Sequence, residues 1–162
     1  MSDEFGSPMS ARPVTLTKAT RRFPLRTRPG PESVPQRFEL SLRIESEERR
    51  VRWDNGHLKL ESFGPHRTQS VVFRPSLREW ERFWHVVTRL GVWQWADGYD
   101  RGGRSGSPSW SLELAVGDRR LRTAGFDAYP PLAEGPELSP AFAGFCAAVS
   151  RLVGGRLDAE LV

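Results

Sequence analysis

Cysteine is nearly absent from this chain, and the single Cys146 excludes an internal disulfide and any zinc site built from several thiolates. No apolar run approaches the roughly 18 residues that suggest a membrane-spanning helix. The opening MSDEFGSPMS lacks the basic-then-apolar order of a signal peptide. A cytoplasmic protein without membrane contact is therefore expected. The Glu-Phe-Gly-Ser ahead of Met9 reads as a cloning scar over residues 1–8, which would put the native start near Met9.

Catalytic signatures are equally scarce. No H-E-x-x-H, G-x-S-x-G or phosphate-binding G-x-x-x-x-G-K-[ST] occurs, and no Ser, Cys or Lys stands in a recognisable nucleophile setting. His57 sits at a hairpin turn, His66 follows a Gly-Pro pair and His85 lies on a helix. These absences argue against an enzyme, name no catalytic residue and call for no cofactor and no metal.

Lysine is the third scarcity: only Lys18 and Lys59 accompany the arginines among 24 basic residues. Net charge is +4, unevenly placed. Residues 1–35 hold Arg12, Lys18, Arg21, Arg22, Arg26 and Arg28 against three acids, while the remainder is nearly neutral. With Pro at 8, 13, 24, 29, 31 and 35 and no sustained periodicity, 1–35 reads as a flexible basic arm. Such an arm holds a polyanion through residues like Arg21 and Arg22, or it is an ordinary solvated tail of an arginine-rich genome.

What the chain has in quantity is tryptophan, and residues 76–95 carry four of its six. Ser76 and Glu79 form an S-x-x-E capping box behind Pro75. At 100° per residue, Leu77, Trp80, Phe83, Trp84, Val87 and Leu90 share an arc of about 140°, the width of a core-facing stripe. Gly91 supplies the left-handed end. Trp93 and Trp95 alternate with Gln94, which predicts an extended exit. A tryptophan cluster also suits stacking on a ligand or nucleobase, but helical spacing favours a core.

Around this helix the period is two. Residues 38–44 alternate as a half-buried strand. Asn55-Gly56 centres a hairpin over 50–61 that pairs Asp54 with His57, Trp53 with Leu58, Arg52 with Lys59, Val51 with Leu60 and Arg50 with Glu61. That register makes an Arg50–Glu61 pair and sets Arg52 against Lys59. Residues 69–74 form a fourth strand. After a flexible Gly-rich loop at 96–108, strands 110–116 and 119–124 turn at Gly117-Asp118, opposing Leu114 with Leu121 and Glu113 with Arg122. Ser139 and Pro140 open a last helix whose stripe is Phe142, Phe145, Cys146, Val149, Leu152 and Val153. The expectation is an α+β domain over 36–155 with a tail at 156–162. It has an antiparallel sheet of about six strands, in the order ββββαββα, with both helices on one face.

Glu79-Trp80-x-x-Phe83-Trp84, Gly91-Val92-Trp93-x-Trp95, Tyr99, Trp110-x-Leu112-x-Leu114 and Gly125-x-Asp127-Ala128-Tyr129-Pro130 together resemble a group of small bacterial α+β domains of no known activity. The resemblance covers about 77–153, roughly half the chain. It departs at the Ser-Gly-Ser-Pro before Trp110, where Asp-Gly is expected, and at Asp127, where Asn is expected. It implies a fold and no chemistry.

Four surfaces merit attention. Arg78, Arg82, His85 and Arg89 fall within about 60° on the outer side of the tryptophan helix, as a basic ridge or as a solvated face served by Glu79 and Glu81. The loop 102–107 could wrap an anion or simply connect. Asp97, Asp100 and Asp127 would be needed for a metal-dependent enzyme. Tyr129 could anchor a partner or pack beneath the sheet. The expected function is a non-catalytic interaction domain acting on another protein through Tyr129 and the ridge. The alternative is a nucleic-acid binder using the ridge with Arg21 and Arg22. Oligomeric state is left open.

Overall fold

The computed structural model describes residues 33–131 and 138–157. Apart from Ser33–Pro35, the basic arm with Arg21 and Arg22 lies outside the described residues. The elements are β1 (Arg37–Ile44), β2 (Glu47–Asp54), β3 (His57–Phe63), β4 (Thr68–Phe73), α1 (Leu77–Arg89), β5 (Gly98–Asp100), β6 (Ser109–Val116), β7 (Arg119–Phe126) and α2 (Pro140–Leu152). They build one seven-stranded sheet in the order β4-β3-β2-β1-β6-β7-β5. All pairings are antiparallel except that of β5 with β7.

The α+β class with two helices holds, but the count of about six strands is corrected. β5 lies inside the stretch read as a flexible loop. It is a strand because Gly98, Tyr99 and Asp100 pair with Ala124, Gly125 and Phe126. Three residues with a glycine give no periodic signal, so only the distant partner reveals them.

The hairpin forms in the expected register, from Asp54 with His57 to Arg50 with Glu61. Asn55 and Gly56 both take positive φ, 46° and 85°, as a type I′ turn requires. The expected Arg50–Glu61 ion pair gives way to another arrangement. Glu61 takes Arg52 at 3.1 Å and Lys59 at 2.8 Å, which relieves their mutual repulsion, and Arg50 turns to Glu48 at 2.8 Å. Leu114 opposes Leu121 and Glu113 opposes Arg122, also as expected.

α1 begins with the capping box: Ser76 Oγ accepts from the Glu79 N–H, and the Glu79 carboxylate accepts from the Ser76 N–H at 2.7 Å. Its buried stripe is narrower than the periodicity implied. Trp80, Phe83 and Val87 are buried, Trp84 and Leu90 are half-buried, and Leu77 is 41% exposed. The exit is a 3₁₀ turn over Val92–Gln94 entered through Gly91 at φ 69°, not an extended segment. That turn buries Val92 and swings Trp95 inward against Trp110, Phe142 and Phe145.

Both helices cover the same sheet face. Trp80 packs edge-on to Phe38 and Trp53, and Phe142 lies on Trp110 with ring centres 4.7 Å apart. The whole expected stripe of α2, from Phe142 to Val153, is buried. Ser139 is buried too; its hydroxyl accepts from the Phe142 N–H and donates to the Pro130 carbonyl. Beyond Gly154-Gly155, Leu157 also packs into the core. Burying the largest of these side chains contributes roughly 1.5–3 kcal/mol each. No described helix is long and apolar enough to cross a membrane.

Candidate functional site

The sheet's uncovered face is densely charged, and each of three glutamates is shared between two cations. Across it, Glu113 binds Arg37 and Arg122, Glu48 binds Arg43 and Arg50, and Glu61 binds Arg52 and Lys59. Burial opposes ionisation of Glu48, but hydrogen bonds from Arg43, Ser41 and Arg50 outweigh it and hold the carboxyl below its ordinary value. Glu61 is held low chiefly by its bond to Lys59, against some burial. Each pair at a surface is worth little by itself. The six cations outnumber these three glutamates, so the pairing reduces the positive charge of this face without cancelling it.

The ridge on α1 is different. Arg78, Arg82, His85 and Arg89 are all exposed, and none forms an ion pair with a described carboxylate. The adjacent Glu79 is committed to the cap: bonds from Ser76 hold its pKa down, with Arg82 a lesser contributor. From Arg78 to Arg89 the ridge runs about 16 Å at the helical rise. Arg151 of α2 extends it across a shallow groove of about 180 Å³ lined with Glu79, Arg82, Phe83, Val86, Ala148 and Leu152. Arg151 carried no signal in the sequence, because its nearness to Arg82 depends on how the helices cross.

Tyr129 packs against α2. It is half-buried, its ring centre lies 4.9 Å from that of Phe142, and burial is the main cause that raises its phenol pKa. The surrounding loop is built for close approach. Asp127 adopts φ 51°, a left-handed conformation that Asp and Asn tolerate better than most side chains. Trp110 donates its indole N–H to the Ala128 carbonyl at 2.9 Å.

In the Gly-rich loop, the Gly102 N–H goes to the Asp100 carboxylate at 2.7 Å and the Arg104 N–H to Ser107 Oγ at 2.9 Å, so these donors serve the loop itself and not an anion. No three potential ligands among His, Cys, Asp and Glu converge among the described residues, so Asp97, Asp100 and Asp127 do not form the cluster that the metal-dependent reading needs. Cys146 is buried, and desolvation pushes its thiol up to about 12. Trp80, Trp95 and Trp110 are buried, and Trp53, Trp84 and Trp93 are half-buried. Trp84 is stacked on Trp80 and Trp93, and the Arg119 guanidinium lies 5.7 Å from the centre of Trp93. The Trp84 indole donates to the Ser33 carbonyl at 2.6 Å.

No family model matches the chain, and no curated protein matches it significantly.

Proposed function

We propose that the chain is a non-catalytic interaction domain whose exposed α1 ridge contacts an acidic surface of another protein. The observation that carries this reading is the contrast in charge compensation. The cations of the sheet face named above are paired with glutamates, whereas Arg78, Arg82, His85 and Arg89 are exposed and form no ion pair with a described carboxylate. An uncompensated cationic strip steers and selects acidic partners more than it stabilises its own fold. The core position of Trp80, Trp95 and Trp110 favours a protein partner over single-stranded nucleic acid, which needs accessible rings for stacking.

The test compares the wild-type chain with an Arg78→Glu/Arg82→Glu/Arg89→Glu variant as baits in lysate with and without nuclease treatment, with captured proteins identified by mass spectrometry. These residues are exposed, so the variant should keep its circular dichroism spectrum and lose about 1 kcal/mol of stability or less. A protein captured by the wild type and lost from the variant supports the reading. Capture that vanishes on nuclease treatment, with steeply salt-dependent binding to oligonucleotide, replaces it with the phosphate-binding alternative. Identical capture by both baits removes the ridge as a contact surface.

A further inference from the structure

The two edges of the sheet are finished differently. At one, β5 has three residues, follows Asp97, starts at Gly98 and ends at Asp100, the short charged finish that resists further pairing. At the other, β4 presents six residues, Thr-Gln-Ser-Val-Val-Phe, with no charge, proline or glycine. It bonds to β3 on one side, and among the described residues no strand pairs with the other. Alternate backbone N–H and C=O groups along that side point outward, as at any edge. Val72 of this strand is 50% exposed and, opposite Lys59, belongs to the sheet face that the helices leave bare. An exposed valine beside unpaired main-chain groups is what an added strand would cover.

We propose that β4 is a strand-addition site for an extended segment of another protein, with an acidic residue at each end and β-branched residues between. This inference stands on the sheet edge and does not depend on the α1 ridge. Charge selects the occupant. Arg67 precedes the strand and Arg74 follows it; Arg67 meets the neutral amide of Gln69, and Arg74 makes no ion pair with a described carboxylate. A second copy added antiparallel about a two-fold axis would bring each Arg67 near the other copy's Arg74. Parallel addition in register would set like residues side by side. The chain's own Val14-Thr15-Leu16-Thr17 is bracketed by Arg12 and Lys18 and would repeat the repulsion. A foreign strand with acidic ends turns both positions into favourable cross-strand pairs, while its main chain takes the open bonds and its side chains cover Val72.

The experiment titrates the full-length, ¹⁵N-labelled chain with a capped peptide of alternating valine and threonine bearing a glutamate at each end. The control peptide carries lysines at the ends. The expected result is amide shifts centred on Thr68–Phe73, with the glutamate peptide binding about tenfold tighter than the lysine peptide. Arg67→Glu/Arg74→Glu should invert that preference. The Arg78→Glu/Arg82→Glu/Arg89→Glu variant should bind the peptide as the wild type does, which separates this site from the ridge. The proposal is overturned by shifts centred on α1, by no shifts, or by binding indifferent to end charge. A dimer in light scattering whose β4 amides resist hydrogen exchange would assign the edge to a second copy. The same protection in a monomer would assign it to the chain itself.

Discussion

Gly125→Ala tests the packing argument most sharply, because the space it would fill is already occupied. Gly125 lies on β7 opposite Trp110 of β6, on the covered face of the sheet. A methyl group built there would lie 2.5 Å from the Ala128 carbonyl oxygen and overlap the Trp110 indole nitrogen and its ring carbon. These are the two ends of the indole-to-carbonyl bond at 2.9 Å. Neither can step aside. Trp110 is 4% exposed and held by Trp95, Tyr99 and Phe142, and the carbonyl belongs to a backbone turn around a buried Ala128. Overpacking costs about 1–3 kcal/mol and a broken buried hydrogen bond a further ~1–3 kcal/mol. The reduced entropy of the unfolded alanine chain returns about 0.5–1 kcal/mol. The net expectation is a loss of about 1–5 kcal/mol, a large part of the roughly 5–15 kcal/mol that holds a typical domain. Urea unfolding followed by tryptophan fluorescence reads this directly, with Ala124→Ser on the exposed side of the same strand as the neutral control. A loss below about 1 kcal/mol for Gly125→Ala, at an unchanged denaturant slope, would refute the claim that this close approach is obligatory.

The depressed pKa values of Glu48, Glu61 and Glu79 set an acid limit. A carboxyl held below its ordinary value of 4.5 stabilises the fold above that pH, and the contribution is lost as pH falls through the folded value. The urea midpoint should therefore hold from neutral pH to about 4.5 and fall below it. Glu61→Gln should start lower at neutral pH and decline less steeply; an unchanged slope would show that the Lys59 and Arg52 contacts carry no linkage. Cys146, buried with its thiol pushed up to about 12, should resist a thiol-specific disulfide reagent at pH 8 until the chain is unfolded in urea. Rapid labelling of the native protein would contradict that burial.

The local grammar of this chain was legible in its residues. The Ser76–Glu79 box, the Ser139-Pro140 start, the Asn55-Gly56 turn with its register and the apolar stripe of α2 all depend on residues a few positions apart. What failed also failed for a local reason. The turn between β1 and β2 puts Glu45 at φ 53° without a glycine or asparagine to announce it, and β5 is too short to show a period. Leu77 satisfied the helical angle of the core stripe yet lies exposed on the first turn. Periodicity gives a direction around the helix and not the extent of the sheet beneath it.

The candidate surfaces divide in the same way. The ridge of Arg78, Arg82, His85 and Arg89 was fixed by the sequence, since helical spacing alone puts those residues on one side. Whether their charge is free was decided by the tertiary structure, because the glutamates able to neutralise arginines are distributed by strand pairing. The same holds for the β4 edge. Pairing of β1 with β6 inserts the first hairpins beside the last one, and that contact, between residues about 70 positions apart in the sequence, leaves β4 outermost. Local patterning determines what each segment is. Only the long-range pairing of segments determines which strand and which cations remain open to a partner.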